Sequence, residues 1–490
     1  MKKFLVAIDQ GTTSSRAILF SLSGKPIYTS QKEFKQYFPK NGWVEHNPNE
    51  IWSTVKKVLF DVIVKSKKLK GEIISIGITN QRETTILWDK KTGKHIYNAI
   101  VWQDRRTEDF CKKIKKKENL IRNKTGLFID PYFSATKIKW ILENIPKAKN
   151  LLKKKQLLFG TIDSFLIWKL TEGKVHATDA TNASRTMLFN INKNNWDNDI
   201  LKIFKINKNI LPRVKNSADD FGSTSKKVIG EKIPISAVLG DQQAAAFGQA
   251  CFKKGSVKST YGTGAFVIMN TGNKKLISKN KLLTTICYRL NNKNTFAIEG
   301  SIFVAGAGVQ WLRDKIKLIN NAYETEKIAK SKESNDGVYI VPAFTGLGAP
   351  YWNSSSRGLI TGLTRNSDWK DLVRAIIESV AYQSYDLFES MRKDGLKPNI
   401  VKVDGGMVAN NWFSQFLSNI IDTKVIRPKV KETTALGVAF MAGLKIGVYK
   451  SLSDISNYWK IDKKFTPKIS KSNRTKLLKG WQQAIRKTLV

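Results

Sequence analysis

Short apolar runs in this chain repeatedly stop at glycine, threonine or an acid and then resume. Residues 4–8 are apolar, 9–13 read Asp9-Gln10-Gly11-Thr12-Thr13, and 15–20 return to a strand-like pattern. This is a strand, a polar turn and a second strand. Another apolar run, 73–78, stops at Thr79-Asn80-Gln81-Arg82-Glu83 and resumes over 84–88. Between these segments the spacing predicts a helix over 48–64, with Pro48 near its start. A second set begins near residue 235. A strand over 237–239 runs into Gly240-Asp241-Gln242-Gln243, a helix is expected over 244–250, and a strand over 256–259 meets Thr260-Tyr261-Gly262-Thr263-Gly264 before 265–269 resumes. Further on, a strand over 401–403 ends in Asp404-Gly405-Gly406, a helix is expected over 412–421, and the Lys-rich stretch 463–479 reads as an exposed face.

Strands alternating with helices indicate an α/β fold. A Gly/Thr turn joining two strands early in each half predicts two α/β domains of related topology, 1–250 and 251–490, with the boundary near 245–255. No low-complexity linker separates the halves, so a hinge between docked domains is expected. The 490 residues exceed what one core organises. At 41% hydrophobic and 25% charged, the chain is excluded from the disordered, collagen-like and rod-like classes.

Charge changes this picture more than composition does. Lys and Arg total 84 against 40 Asp and Glu, a formal net charge of +44. Such a balance raises nucleic acid, an anionic membrane surface or acidic substrates as partners. The basic residues are spread along the chain, as at 112–117 and 153–155, so compositional drift without a specific nucleic-acid partner is the expectation. Cys111, Cys251 and Cys287 are far apart and form no CxxC, which fits a reducing compartment. His46, His95 and His176 are isolated, which argues against a His-rich metal site. The N-terminal apolar run is too short for a signal peptide. No 18-residue apolar stretch occurs, so a cytoplasmic protein without a membrane span is expected.

Gly11-Thr12-Thr13-Ser14 and Gly262-Thr263-Gly264 each combine close-approaching backbone N–H groups with hydroxyls, as a phosphate site requires. There is no GxxxxGK[ST] and no HRD with DFG, which disfavours a P-loop enzyme and a protein kinase. What remains is an ATP site made from two hairpins on opposite domains, with Asp9 and Asp241 at strand ends available to Mg²⁺. Asp241 is a candidate base or metal ligand; the alternative is a helix N-cap. Arg82-Glu83 is either a surface pair or a donor and an acceptor for a polyol. Trp102 and Tyr132 either pack a core or wall a site. Asp404-Gly405-Gly406 is either a plain tight turn or a close approach to a nucleotide.

Nine segments in order resemble one family: VAIDQGTTSSR at 6–16, GITNQRETT at 77–85, AIVWQDRR at 99–106, IDPYFSATK at 129–137, TNASRTMLFN at 181–190, GDQQAAAFGQ at 240–249, YGTGAF at 261–266, VPAFTGLGAPYW at 341–352 and VDGGMVANN at 403–411. The chain is similar to the FGGY carbohydrate kinases, and within them to the members that phosphorylate glycerol, from about residue 4 to about 485. The resemblance implies two actin/hexokinase-like (ribonuclease H-like) ATPase domains flanking a central cleft, with glycerol and the first phosphate hairpin on the N-terminal domain and the nucleotide on the C-terminal one. It implies ATP and Mg²⁺ as cofactors, glycerol as substrate, and a homo-oligomer. By the family's motifs, Thr12, Thr13, Ser14 and Arg16 contact the nucleotide phosphates, as does Thr263. Gly306, Gln310, Gly406 and Asn410 make further nucleotide contacts. Arg82, Glu83, Tyr132, Asp241 and Gln242 hold glycerol, with Trp102 and Phe266 against its carbons. Asp241 is the catalytic base, and Asp9 and Asp241 serve the metal.

Two departures bear on regulation. Family members inhibited by fructose 1,6-bisphosphate carry a Gly-rich loop with an Arg before the IPI strand; here 225–232 read SKKVIGEK, with Lys232 in place of that Arg. The Glu through which some members bind a sugar-phosphotransferase regulator is matched by Asn473. The rival readings are an FGGY kinase for a pentulose or erythritol, and a basic nucleic-acid- or membrane-surface-binding protein that retains the fold without activity.

Overall fold

A computed structural model describes residues 1–353 and 355–489. The first half is built on a five-stranded sheet. Its strands are β1 (Lys2–Gln10), β2 (Ser14–Ser21), β3 (Pro26–Glu33), β4 (Gly71–Asn80) and β5 (Ile235–Gly240), in spatial order β5-β4-β1-β2-β3. β1, β2 and β3 are antiparallel neighbours, while β4 and β5 run parallel to β1. The second half has seven strands: β6 (Ser256–Tyr261), β7 (Ala265–Gly272), β8 (Leu283–Leu290), β9 (Lys293–Ile302), β10 (Ile400–Asp404), β11 (Lys424–Pro428) and β12 (Ile461–Phe465). Their order is β8-β9-β7-β6-β10-β11-β12. The hairpin β6–β7 with β9 on one side and parallel β10 and β11 on the other repeats the arrangement of β1–β2 with β3, β4 and β5.

The helix expected at 48–64 is α1 (Pro48–Lys68). Asn47 caps it by accepting from the Asn49 N–H, Pro48 opens it, and Lys65, Lys67 and Lys68 suit its C-terminal dipole and carry it a turn past the expectation. Its buried Ile51, Val55, Val58, Leu59 and Val62 lie on Val6, Ile8, Ile76 and Ile78 of the sheet. Each such side chain stabilises by roughly 2 kcal/mol. The helix after β5 is α2 (Asp241–Gly248), shorter than the expected 244–250 at its end and longer at its start. Asp241 is its first residue and Gly240 is its cap, so the N-cap alternative for Asp241 does not hold.

The sheet's other face is covered from the second half. There the helices are α3 (Gly306–Asp314), α4 (Trp369–Lys393), α5 (Asn411–Ile421), α6 (Thr433–Lys445) and α7 (Lys471–Thr488). Leu436, Val438, Ala439 and Phe440 of α6 join Leu5, Ala7 and Leu239 of the first sheet in one cluster. The strand expected over 84–88 appears as Ile86–Asp89, but it pairs antiparallel with Leu157–Gly160, away from the main sheet. The stretch 463–479 holds the end of β12 and the start of α7. Within that stretch only Phe465 and Leu478 are buried, and the rest of the buried face of α7 lies further on, at Trp481, Ala484 and Ile485. The lysines at 112–117 and 153–155 are exposed on separate elements. Among the described residues no helix is long and apolar enough to cross a membrane.

Candidate active site

The strand ends of the first sheet place the polar residues. Asp9 sits at the end of β1, Arg82 and Glu83 follow β4, and Asp241 follows β5. β6 and β7 deliver the second hairpin from the other half. Each hairpin turn closes on itself, by Gly11 N–H to Ser14 O at 2.9 Å and by Gly262 N–H to Gly264 O at 2.9 Å. Thr13 and Thr263 are exposed at the two tips. Helix α3 is tied to the second hairpin through Gly306 N–H to Gly262 O, 2.8 Å, and Ala307 N–H to Thr263 O, 3.0 Å. Gly405 (φ 95°) packs against the Tyr261 backbone, where an added Cβ would lie 2.4 Å from Tyr261 O, so only glycine allows β10 to turn there. Gly406 opens a 3₁₀ turn with nothing packed over it, and Gln310 is exposed on α3. Asn410 caps α5, accepting from Phe413 N–H at 2.9 Å and donating to Thr325 Oγ1 at 3.2 Å.

An aromatic group links the two hairpins. Trp102 is edge-on to Tyr132 (centroids 5.7 Å) and to Phe266 of β7 (6.1 Å). The Trp102 indole N–H donates to Thr12 Oγ1 at 3.0 Å, linking these rings to the first hairpin. Phe266 comes from the second half and Trp102 from the first, so the two halves meet at this ring contact.

Beside these rings lies an ionic cluster that is buried apart from Asp241. Arg82 is 2% exposed. Its Nε lies 3.2 Å from Asp241 Oδ1, and its Nη1 and Nη2 donate to Glu299 at 2.6 and 2.9 Å. Arg185 donates from Nε to Glu83 Oε1 at 2.6 Å and from Nη2 to Glu299 Oε1 at 3.1 Å, while its Nη1 is buried without a partner. Burial alone would raise the Glu299 carboxyl, but Arg185 and Arg82 more than offset it and hold its pKa at about 2. Burial raises Asp241 above an ordinary aspartate, opposed by Arg82 and Lys258. Removing one member of such a buried set leaves an uncompensated charge and costs about 3–5 kcal/mol. Glu83 has φ 62°, a left-handed conformation costing roughly 1–2 kcal/mol in a non-glycine residue. Strain held in place by buried contacts is typical of ligand clamps.

Arg16 does not lie along the outer face of its hairpin. It bridges Asp9 Oδ2 (2.5 Å) and Glu432 Oε2 (2.7 Å), the latter just before α6. Burial raises the Asp9 carboxyl and Arg16 opposes the rise. Asp9 and Asp241 are two strands apart, about 10 Å at the usual strand spacing. No three His, Cys, Asp or Glu side chains gather as a metal cage among the described residues. Two separated carboxylates near the hairpin turns nevertheless fit Mg²⁺, which takes few protein ligands and keeps several waters.

Several residues at this site carried no sequence reading of their own. Glu299 and Arg185 complete the ionic cluster. Lys258 on β6, fully buried, donates to Gln242 Oε1 at 2.6 Å. Lys137 donates to Tyr132 O at 2.6 Å, and burial brings its pKa to about 7 against the pull of Glu83 and Asp104. Glu299 in Phe296-Ala297-Ile298-Glu299-Gly300 and Lys258 in Ser256-Val257-Lys258-Ser259 are lone charges inside apolar or small-residue strands, and a charge in a strand that must be buried is the signal that could have found these two.

Two domains, each offering a hairpin to a shared cleft with a carboxylate at its base, define a phosphoryl-transferring ATPase fold. Residues 4–248 match the N-terminal domain of the FGGY family of carbohydrate kinases and residues 257–446 match its C-terminal domain, so the chain belongs to that family. Within it, the chain is 54% identical over 489 residues to glycerol kinase 1 of Pseudomonas aeruginosa, covering 99% of each. It is 52% identical over 488 residues to the glycerol kinase of Petrotoga mobilis, covering 99% of this chain and 98% of that one. Among solved structures, the glycerol kinase of Plasmodium falciparum with ADP superposes with a TM-score of 0.94 at 40% identity, covering 100% of this chain and 99% of that one. The gluconate kinase of Lactobacillus acidophilus, at 22% identity and a TM-score of 0.88 over 99% and 97%, shares the fold.

Proposed function

We propose that this chain transfers the γ-phosphoryl group of ATP to a terminal hydroxyl of glycerol, giving sn-glycerol 3-phosphate and ADP, in glycerol uptake and catabolism. The observation that supports the reading is that Arg82, Glu83 and Asp241 lie together, with the rings of Trp102, Tyr132 and Phe266 nearby. Glycerol is nearly all hydroxyl, so its recognition requires paired donors and acceptors, and a site built around a hydroxyl rejects analogues lacking it. Arg82 donates, Glu83, Asp241 and Gln242 complete the polar contacts, and the aromatic wall keeps water from the carbons. Asp241 takes the proton of the attacking hydroxyl as its oxygen bonds to the γ-phosphorus and the bond from that phosphorus to the ADP oxygen breaks. Thr12, Thr13, Ser14, Arg16 and Thr263 serve the phosphates, and Gly306, Gln310, Gly406 and Asn410 the rest of the nucleotide. Asp9 and Asp241 offer oxygens to Mg²⁺, which when bound neutralises phosphate charge. The working units are taken as 1–250 and 251–490, in a cytoplasmic homo-oligomer. The test is glycerol-dependent ADP release across a polyol panel. Activity confined to a pentulose or erythritol, or absent with glycerol, would sink the reading.

The charge is read as incidental. Exposed lysines lie on many separate elements, so DNA binding should be weak and should fade steeply between about 50 and 200 mM salt. Tight binding of a DNA duplex that persists at the upper salt would overturn this.

Fructose 1,6-bisphosphate is expected not to inhibit at sub-millimolar concentration. Lys226, Lys227 and Lys232 are exposed around a four-residue helix, Lys226–Ile229, capped by Ser225, and Glu231 is held by Lys67 at 2.5 Å. Point charges replace the forked guanidinium that grips a phosphate with paired bonds, and the glycines that would bare backbone amides are absent except Gly230. A titration of the effector into the kinase assay decides it. Half-maximal inhibition below millimolar would show that the lysines suffice. Asn473 is exposed in the first turn of α7, where a neutral amide replaces the carboxylate of regulator-binding relatives.

A further inference from the structure

Glu299 stands in β9, in the second half of the chain, and its side chain is fully buried. Its carboxylate is bonded to two arginines of the first half. One oxygen is 2.6 Å from Arg82 Nη1, and the other is 2.9 Å from Arg82 Nη2 and 3.1 Å from Arg185 Nη2. Arg185 in turn donates to Glu83 at 2.6 Å. Glu299 therefore holds both neighbours of the Arg82-Glu83 pair, Arg82 directly by a two-pronged bond and Glu83 through Arg185. With both Nη groups held, Arg82 turns its Nε toward Asp241. Without them only the bond from Nη1 to Gln243 Oε1, 3.2 Å, restrains the guanidinium, which can then turn toward the forked carboxylate pair with Asp241 that arginine favours.

We propose that Glu299 is a positioning residue for the polyol substrate. It sets the plane of Arg82 and, through Arg185, the carboxylate of Glu83. Because it comes from the opposite half, the grip on the substrate is complete only when the two halves are apposed. This rests on the reading that Arg82 and Glu83 hold glycerol. A site whose donors and acceptors are fixed by buried partners binds tighter than one that must order them on binding.

The test compares Glu299→Gln and Arg185→Lys with the wild type in glycerol-dependent ADP release and in thermal unfolding with glycerol or ADP added. Glu299→Gln keeps the shape but replaces one acceptor by a donor facing an arginine. Arg185→Lys keeps the charge but cannot span two carboxylates. For both, the glycerol KM is expected to rise by about tenfold or more, and the ATP KM to stay within about twofold. The stabilisation by glycerol should be lost and that by ADP retained. An unchanged glycerol KM overturns the proposal, and so does a joint rise of both KM values with loss of ADP stabilisation, which marks a merely structural role. If Glu299→Gln does not fold, Arg185→Lys alone decides by the same two readouts. A wild type inactive with glycerol refutes the functional reading itself, whereas an active wild type beside variants of normal glycerol KM refutes only the role of Glu299.

Discussion

Asp241→Asn is expected to lower the turnover of glycerol by about 10²–10⁴, the usual loss on removing a general base, with the fold intact. Asn matches Asp in size, and Asp241 begins α2 without serving as its cap, so the helix start depends on Gly240 and survives the exchange. Arg82 loses one charged neighbour but keeps both bonds to Glu299. The ionic cluster therefore stays ordered, and the substrate still meets Arg82, Glu83 and the three rings. What is lost is the only step an amide cannot perform, accepting the hydroxyl proton as the oxygen attacks phosphorus. The measurement is kcat of the purified variant against wild type, with far-UV circular dichroism to certify the fold. Turnover close to wild type would remove Asp241 from the mechanism.

The parts of this site that sequence reading reached are those that local chemistry announces. A strand that stops at Gly-Thr needs a turn, and both hairpins were legible for that reason, as were Arg82, Glu83 and Asp241 just past strand ends. Trp102 and Tyr132 stood out as aromatic residues by polar loops and the family segments added Phe266; the structure brings the three rings together. Glu299 was missed because its meaning lies 217 positions away, at Arg82. Nothing near Glu299 in the chain signals two arginines. The same holds for α6, whose apolar residues suit any core and whose place on the first sheet is decided by packing at long range. Residues 84–88 have the pattern of a strand, yet the pattern cannot say that the partner is Leu157–Gly160. Arg16 stands on the hairpin opposite Asp9, and its further ion pair with Glu432 was not legible because that residue belongs to the other half.

That long-range packing makes Gly437→Ala damaging although the residue is remote from substrate. Gly437 lies in α6 where this helix crosses α2, and a Cβ built there would sit 1.8 Å from Ala244 O and 2.7 Å from Gly248 N. Both obstacles are backbone, so no side chain can turn aside. Gly248 answers from the other helix, where a Cβ would lie 2.0 Å from Thr433 O, so the crossing is in close backbone contact on both sides. Adding one methyl must push the helices apart by roughly 1 Å, because packed interiors hold no spare room. α2 cannot yield without carrying Asp241, three residues before Ala244, away from Arg82 and from the attacking hydroxyl. A misplacement of that size costs about 10²-fold in rate. Gly437→Ala is therefore expected to lower kcat by about 10–100-fold and the unfolding temperature by several degrees, with glycerol-dependent ADP release and a thermal melt as the measurements. Wild-type kcat in a variant that melts normally would show that the crossing can relax without moving Asp241, and that α6 does not set the position of the base.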